Sequence, residues 1–591
     1  MILSKLFLIL SLLTLVCSYA LAADDILKTS WEHYKSYKIE PDGRPLADLD
    51  REDIANGSKD SYLTFSETVS YVLFRSVWVN DKETFDKTWK WAYHNLMRKN
   101  IKTFNWQTKQ WTELPIEKQD NLFAWRWTKN VNQSGRDGVI YYTWQKNNLE
   151  KQWRSGYDVA PDGDELIAGS LIFAHNRWGS EKGELNYLSN AKNILHDLWN
   201  KCVLKITPGE IDGFDNPLTV GAWFSYSSDG LSVKKKLVNG ISTGHGLYAG
   251  SFGATYMGIG KVLGNSNLSE TEGLSFYAKG TDAVRIIIED TNGLKASIVK
   301  NLWEEDWENI VFSFSEMDSP REFNWEGVKN IMFQPEGDEF YIDNIILYGG
   351  KIIGKPRIHL VSNDHGQPWI NISYYMPFLY EIFAGVDTAR PWKELIESTY
   401  YDINRGSTAK LKNQKGELVI GNNTLVPDWF MYSLTGEVID LPWAQDNKID
   451  DYLCSWDAFR IWFFISLHSS WYETSLPENI LKNKTYEFFK TELNKNGFIR
   501  GGYYLSGKSG DIRGLNYEYP GINGAYLAFF HAAGDTVNAK KIFNRMQNRY
   551  NAAGYWDKDP YDYYSQNWAW LGLAFYKDRG KELFNFLPLR R

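Results

Sequence analysis

The chain has 591 residues, 16% of them aromatic, and carries 65 Lys and Arg against 73 Asp and Glu for a net charge of −8. So much apolar and aromatic content excludes a disordered chain. The mildly acidic balance excludes nucleic acid or an anionic membrane as the main partner, because both need a basic face.

Lys5, the apolar stretch from Leu6 to Val16 and the small-x-small run Ala20-Leu21-Ala22 predict an export signal over residues 1–22. A secreted or periplasmic protein is therefore expected. The stretch is too short to span a bilayer, and nothing later in the chain is long enough. After the signal only Cys202 and Cys454 remain, too few for a disulfide framework. They either pair or stay as two buried thiols. No CxxC or HExxH spacing is present, so neither a metal site nor a cofactor is expected.

From about Trp31 to Leu204 apolar residues recur at helical spacing. Val69, Val72, Leu73 and Val77 mark one helix, and Phe85, Trp89 and Leu96 mark the next. Leu166, Ile167, Leu171 and Ala174 make a third, ended by Gly179. After Thr207-Pro208-Gly209 the apolar segments become short and β-rich, at Leu274–Ala278, Val284–Glu289, Asn309–Phe314, Asn330–Phe333 and Phe340–Leu347, as in a β-sandwich. Helical spacing resumes near Ser373 and passes through Met376–Ala384, Ala458–Leu467, Tyr526–Ala532 and Trp568–Tyr576. The expected order is a helical domain in two parts, 23–207 and 356–591, interrupted by a β-domain at 208–355. Three domains in series are the alternative.

Three acidic sites open strongly apolar helices: Ser66-Glu67, Asp162-Gly163-Asp164-Glu165 and Ser455-Trp456-Asp457. Capping and the helix dipole alone favour such residues at helix starts. A catalytic role requires them to converge, which happens if parallel helices form a barrel with all N-termini at one end. Glycoside hydrolysis needs such a group, one carboxyl to protonate the leaving oxygen and one carboxylate to activate water or attack. Trp and Tyr faces would then cradle the C–H faces of sugar rings.

At these residues the sequence resembles glycoside hydrolase family 8, the inverting enzymes of β-1,4-glucans, xylans and chitosan. Ser66-Glu67-Thr68-Val69-Ser70-Tyr71 with Asn80-Asp81 and Phe85-Asp86 is similar to that family's first active-site helix, and Leu122-Phe123-Ala124-Trp125-Arg126-Trp127 to the stretch that follows. Ala160-Pro161-Asp162-Gly163-Asp164 with Ile167-Ala168, Ala174 and Trp178 resembles the family signature. Ser373-Tyr374-Tyr375-Met376-Pro377, Asp457-Ala458-Phe459-Arg460 and Tyr563-Tyr564-Ser565-Gln566-Asn567 resemble later helix starts.

The resemblance implies a mainly α fold, an (α/α)6 barrel with an inserted β-sandwich, because Glu67 and Asp162 precede the insert while Tyr374 and Asp457 follow it. It makes Glu67 the general acid, Asp457 the general base, Asp162 the residue holding the sugar ring and Tyr374 the neighbour of the catalytic water. Arg460, one turn after Asp457, would pair with that carboxylate. Trp125, Trp127 and Asp164 are candidates for substrate binding. The expected separation of the Glu67 and Asp457 carboxyls is about 6.5–9.5 Å, the inverting geometry.

Ala160-Pro161-Asp162-Gly163 and Arg177-Trp178-Gly179 resemble the xylan-active branch, whereas Leu122–Trp127 is closer to the cellulases. No His lies between His468 and His531 to form the cleft-blocking loop of reducing-end xylose-releasing relatives. An endo-acting xylanase is expected first, the reducing-end exo-enzyme second and a glucanase third. A non-catalytic glycan-binding protein is the rival class. The partner is then a polysaccharide or oligosaccharide, and a monomer is expected.

The insert opens on Ile211-Asp212-Gly213-Phe214-Asp215 and closes on Phe340-Tyr341-Ile342-Asp343-Asn344-Ile345. These landmarks resemble jelly-roll carbohydrate-binding modules of the galactose-binding-like superfamily. Some such modules hold a structural Ca²⁺, to which Asp343 or Asp212 would contribute, but a core role for both is the favoured expectation.

Overall fold

The computed structural model describes residues 23–47, 63–105, 108–129, 138–146, 150–241, 244–280, 282–302, 306–412, 418–422, 424–441, 453–508, 515–557 and 562–586. The export signal expected at 1–22 lies outside them. Among the described residues no helix is long and apolar enough to cross a membrane. Two compact units are present. One is built from the chain up to Trp199, from Ser373–Tyr400 and from Cys454 onward; the other takes Asn200–Ile372 and Tyr401–Leu453.

The first unit is helical. In chain order its helices are α1 (Ser66–Trp78), α2 (Lys82–Asn95), α3 (Pro161–Trp178), α4 (Tyr187–Cys202), α5 (Pro377–Val386) and α6 (Trp392–Ser407). They continue with α7 (Phe459–Trp471), α8 (Lys484–Asn496), α9 (Pro520–Ala532), α10 (Thr536–Arg549) and α11 (Tyr563–Asp578). Local chemistry sets several of the ends. Proline opens α3, α5 and α9 at the first turn, where its missing N–H costs nothing. Asp81, Asp535 and Asp562 cap α2, α10 and α11 by accepting backbone N–H bonds. Gly179 follows α3 at φ 79°, as the sequence predicts.

The odd-numbered helices form a closed ring. α1 packs on α3, α3 on α5, α5 on α7, α7 on α9, α9 on α11, and α11 returns to α1. Burial shows that they are interior. α1 buries every residue except Glu67, while α2 buries only the stripe Phe85, Thr88, Trp89, Trp91 and Ala92. An all-round apolar helix belongs inside, and a striped one outside. The even-numbered helices cover the ring. α2 lies on α1 and α10 on α9, Trp392 of α6 packs on Tyr380 and Phe383 of α5, and Phe489 of α8 packs on Trp462 of α7. A further helix over residues 23–38 sets Trp31 and Tyr34 against the buried Arg75 guanidinium of α1.

One departure from the expected helical texture lies in this unit. Lys102–Asn105, Gln110–Glu113, Val139–Lys146 and Glu150–Ser155 form a four-stranded sheet. The run of β-branched and aromatic residues Val139–Trp144 suits a strand better than a helix.

The second unit holds a β-sandwich. Its larger sheet orders Lys234–Asn239, His245–Gly250, Glu339–Tyr348, Gly273–Gly280 and Glu308–Ser313, with Glu210–Asp212 also paired to Glu339–Tyr348. The other orders Lys295–Asn301, Ala283–Asp290, Val328–Pro335, Met257–Ser266 and Trp223–Ser227. Leu247, Phe276, Ile286, Phe333, Phe340 and Ile342 meet in the core between them. Asp212 and Asp343 serve this scaffold. The Asp212 carboxylate accepts from Phe214 N, Trp223 Nε1 and Lys261 Nζ, and Asp343 accepts from Ile241 N and Asn344 N. Cys202 and Cys454 are both buried.

The ring closes tightly where α9 meets α11. A Cβ added at Gly524 would sit 2.0 Å from the Trp568 carbonyl oxygen, and one at Gly572 would sit 2.0 Å from the Gly524 oxygen. Gly524→Ala must push these helices apart and should cost about 1–3 kcal/mol. Calorimetry should record a lower melting temperature; an unchanged value would mean that the two helices are not in this contact.

Candidate active site

Five of the six inner helices meet at their N-terminal ends. Glu67 lies in the first turn of α1, Asp162 in the first turn of α3, Ser373 and Tyr374 just before α5, Asp457 just before α7, and Tyr563 at the first position of α11. None of the three acids is the N-cap of its helix, which is Phe65, Ala160 or Ala458. Capping therefore does not account for them. Close approach of α1 and α3 depends on Gly163, where a Cβ would meet Ser66 Oγ at 2.8 Å.

The carboxylates are gathered by one guanidinium. Arg460 Nη1 donates to Glu67 Oε1 at 2.5 Å and to Asp162 Oδ2 at 2.8 Å. Its Nη2 donates to Asp457 Oδ1 at 2.9 Å and to Ser373 Oγ at 2.5 Å. Arg460 thus does more than the expected pairing with Asp457. Its fork is rigid, so Glu67 Oε1 and Asp457 Oδ1, on different nitrogens, lie within about 8 Å of each other. Two tyrosines complete the hold on Glu67: Tyr71 donates to Oε1 at 2.9 Å and Tyr563 to Oε2 at 2.7 Å. Trp568 Nε1 in turn donates to the Tyr71 hydroxyl. The Tyr374 ring lies 5.8 Å from the Arg460 guanidinium.

Exposure grades across the cluster. The Asp457 side chain is 30% exposed, Glu67 18%, Asp162 6% and Arg460 4%. Solvent reaches Asp457 most easily and Asp162 hardly at all. Burial, with the negative charge of Glu67 adding to it, pushes the Asp162 carboxyl up to about 7 despite Arg460. Burial also raises the Tyr374 hydroxyl well above its usual range, and the charges of Asp162 and Asp457 add to that. Arg460 loses hydration by burial, but Tyr564, Tyr71, Glu67 and Asp162 more than restore its charge.

Aromatic faces border the cluster on two sides. Leu63–Phe65 pairs with Arg126–Thr128, and Ser66 N donates to Trp125 O. This stacks the half-buried Trp125 on Phe65, at 5.6 Å and 13°, with Tyr563 beyond it. On the other side Trp456, adjacent to Asp457, meets the Tyr519 ring at 4.4 Å, and its carbonyl accepts from Tyr564.

Two expected substrate-binding residues are elsewhere. Trp127 is 5% exposed, packed edge-on against Trp91 and under the Arg44 guanidinium, so its face cannot meet a sugar. Alternation along its strand turns it to the side opposite from Arg126. Asp164 is fully buried, its Oδ1 accepts from Phe123 N, and burial drives its carboxyl well above the usual range. It ties α3 to the Leu122–Trp127 stretch. Conversely, Tyr563, Tyr71 and Ser373 stand in the quoted motifs without having been assigned a contact. Polar side chains at helix starts were the available signal.

A family model described as glycosyl hydrolases family 8 matches residues 5–122 and 117–216. The chain is 27% identical over 217 residues to endoglucanase 2 of Ruminiclostridium josui, across 35% of this chain and 37% of that protein. It is 29% identical over 131 residues to a reducing-end xylose-releasing exo-oligoxylanase of Paenibacillus barcinonensis, across 22% of this chain and 25% of that one. Each alignment spans well under half of the relative's length. A solved family 11 carbohydrate-binding module from Clostridium thermocellum matches 24% of this chain and 95% of its own, at 24% identity and a TM-score of 0.21. The stretch that holds Glu67 and Asp162 is therefore similar to glycosyl hydrolases family 8.

Proposed function

We propose that this chain hydrolyses β-1,4-linked polysaccharide with inversion at the anomeric carbon. The carrying observation is that one buried guanidinium holds Glu67, Asp162 and Asp457 together between two aromatic borders. Glu67 gives its proton to the glycosidic oxygen as the C1–O bond breaks. Asp457, the most exposed of the three, takes a proton from a water whose oxygen attacks C1 from the opposite face, with Tyr374 beside it. Asp162 holds the ring between them. The closed ring of six inner helices supports the (α/α)6 barrel that the family resemblance implies. Export through residues 1–22 and a carbohydrate-binding role for the β-sandwich complete the proposal.

Xylan is the proposed substrate, with endo-cleavage. Of the two segments that resemble the xylan-active branch, only Ala160-Pro161-Asp162-Gly163 is at the site. Arg177 and Trp178 lie at the far end of α3, about 24 Å away by helix rise, where they bind Asn80 and Glu582. A β-1,4-glucan is the second reading, favoured by the Leu122–Trp127 stretch, whose Trp125 borders Glu67 through Phe65 and Tyr563.

Glu67→Gln or Asp457→Asn should lower kcat by about 10²–10⁴ on whichever of xylohexaose, β-glucan and chitosan oligomers the wild type cleaves. Proton NMR should show the α-anomer forming first. Wild-type rates in both variants, or a β-anomer first, would sink the assigned roles. A ladder of short xylo-oligomers marks endo action on xylan, and accumulating xylose marks reducing-end release.

Glu67 and Asp162 share one Nη1. The folded carboxyl of Asp162 sits at about 7, and the unfolded one at about 3.9. Between those values the folded chain binds more protons, so this group's contribution to stability falls as pH rises through the window. Asp162→Asn removes the titration. Its stability relative to wild type, measured by urea unfolding, should rise from pH 4 to pH 8; a difference flat with pH would contradict the raised carboxyl.

A further inference from the structure

We propose that Tyr517 is a further sugar platform, one ring beyond the Trp456–Tyr519 border, and that Glu518 is the positioning residue that sets it; this rests on the hydrolase reading above. Tyr517 is 68% exposed, a large aromatic ring held open to solvent in a chain that buries most of its rings. An exposed aromatic beside a polysaccharide site offers its face to the C–H side of a pyranose.

The backbone around it is fixed rather than loose. Gly501 N donates to the Tyr517 carbonyl at 2.9 Å, and Arg500 Nη1 donates to the Asn516 carbonyl at 3.2 Å. Two residues on, the Tyr519 ring contacts Trp456, the immediate neighbour of Asp457. A Cβ at Gly501 would meet the Tyr519 ring at 2.8 Å, and one at Gly502 would meet the Ser455 side chain at 3.0 Å. The segment that carries Tyr517 therefore touches Trp456 through Tyr519, while Gly502, next to Gly501, approaches Ser455. Two residues reach at most about 7 Å, so the Tyr517 backbone lies within that distance of Tyr519, whose ring meets Trp456.

Between the two tyrosines stands Glu518, whose side chain is 7% exposed. It accepts from Arg545 Nε at 2.7 Å and Nη2 at 2.6 Å, from Arg549 Nη1 at 2.8 Å and from Asn523 Nδ2 at 2.8 Å. Arg549 is itself fixed by two bonds to Asp557. This bidentate clamp anchors the loop to α10 and to the first turn of α9. Such geometry specifies direction as well as adding energy. The clamp fixes the backbone beside the Tyr517 ring.

The test is full-chain kinetics on oligosaccharides of three and six units, from whichever series the wild type cleaves. Tyr517→Ala should raise KM for the six-unit substrate about fivefold, leaving kcat, melting temperature and the three-unit KM unchanged, and Tyr517→Phe should behave as wild type. Glu518→Gln should raise the six-unit KM likewise, and the double variant should be no worse than Tyr517→Ala alone. An unchanged ratio of the two KM values in Tyr517→Ala overturns the platform. A Glu518→Gln variant that loses only thermal stability overturns the positioning role. A wild type that cleaves neither series removes the hydrolase reading and this proposal with it.

Discussion

The Arg460 guanidinium is the constraint on which the helical unit is arranged. Three carboxylates brought this close repel one another, and each loses hydration as the ring closes around it. A single lysine would offer one point charge. Arg460 presents two terminal nitrogens, so Glu67 and Asp162 take one while Asp457 and Ser373 take the other. The residual negative charge is then managed by burial, which keeps a proton on Asp162 toward neutral pH. It is managed also by the hydroxyls of Tyr71 and Tyr563, which give hydrogen bonds without adding charge. Parallel inner helices help, because their positive N-terminal ends face the acids.

That arrangement explains why the three acids are not interchangeable. They share a cation but differ in access to water, from 30% exposure at Asp457 to 6% at Asp162. The more accessible environment suits the base proposed for Asp457, and the buried one suits the ring-holding role proposed for Asp162. The same fork therefore positions all three, while their depth differs.

Much of this was legible in the chain and some was not, for physical reasons. The strands at Gly273–Gly280 and Glu339–Tyr348 follow from alternation, since Phe340 and Ile342 are buried while Tyr341 between them is not. The helix starts at Glu67, Asp162 and Asp457 follow from apolar periodicity broken by an acid. Arg460 was legible as a neighbour of Asp457 by spacing, but its reach to Glu67, 393 residues away, is a property of ring closure that no local pattern encodes. Trp127 and Asp164 stand apart from the cluster for other reasons. Strand parity turned Trp127 away, and Asp164 proved to be spent on a backbone N–H. Tyr563 carries no signal among 36 tyrosines except its position at a helix start.

Long separation has its own consequence for how the site comes into being. Tyr563 reaches Glu67 across 496 residues, and the chain leaves the helical unit after Trp199 and again after Tyr400 before returning. Closure over 298 and 393 residues must accompany the Arg460 contacts to Asp162 and Glu67, whereas its contact to Asp457 is local. Without Arg460 from α7, Glu67 and Asp162 lose the cation that they share. The ring can close around the acids only when the cation comes with it. The inner helices before the insert therefore depend for their electrostatic balance on a residue that the chain supplies much later, and α9 on α11, later still, closes the ring through a seam with glycine at both contact points.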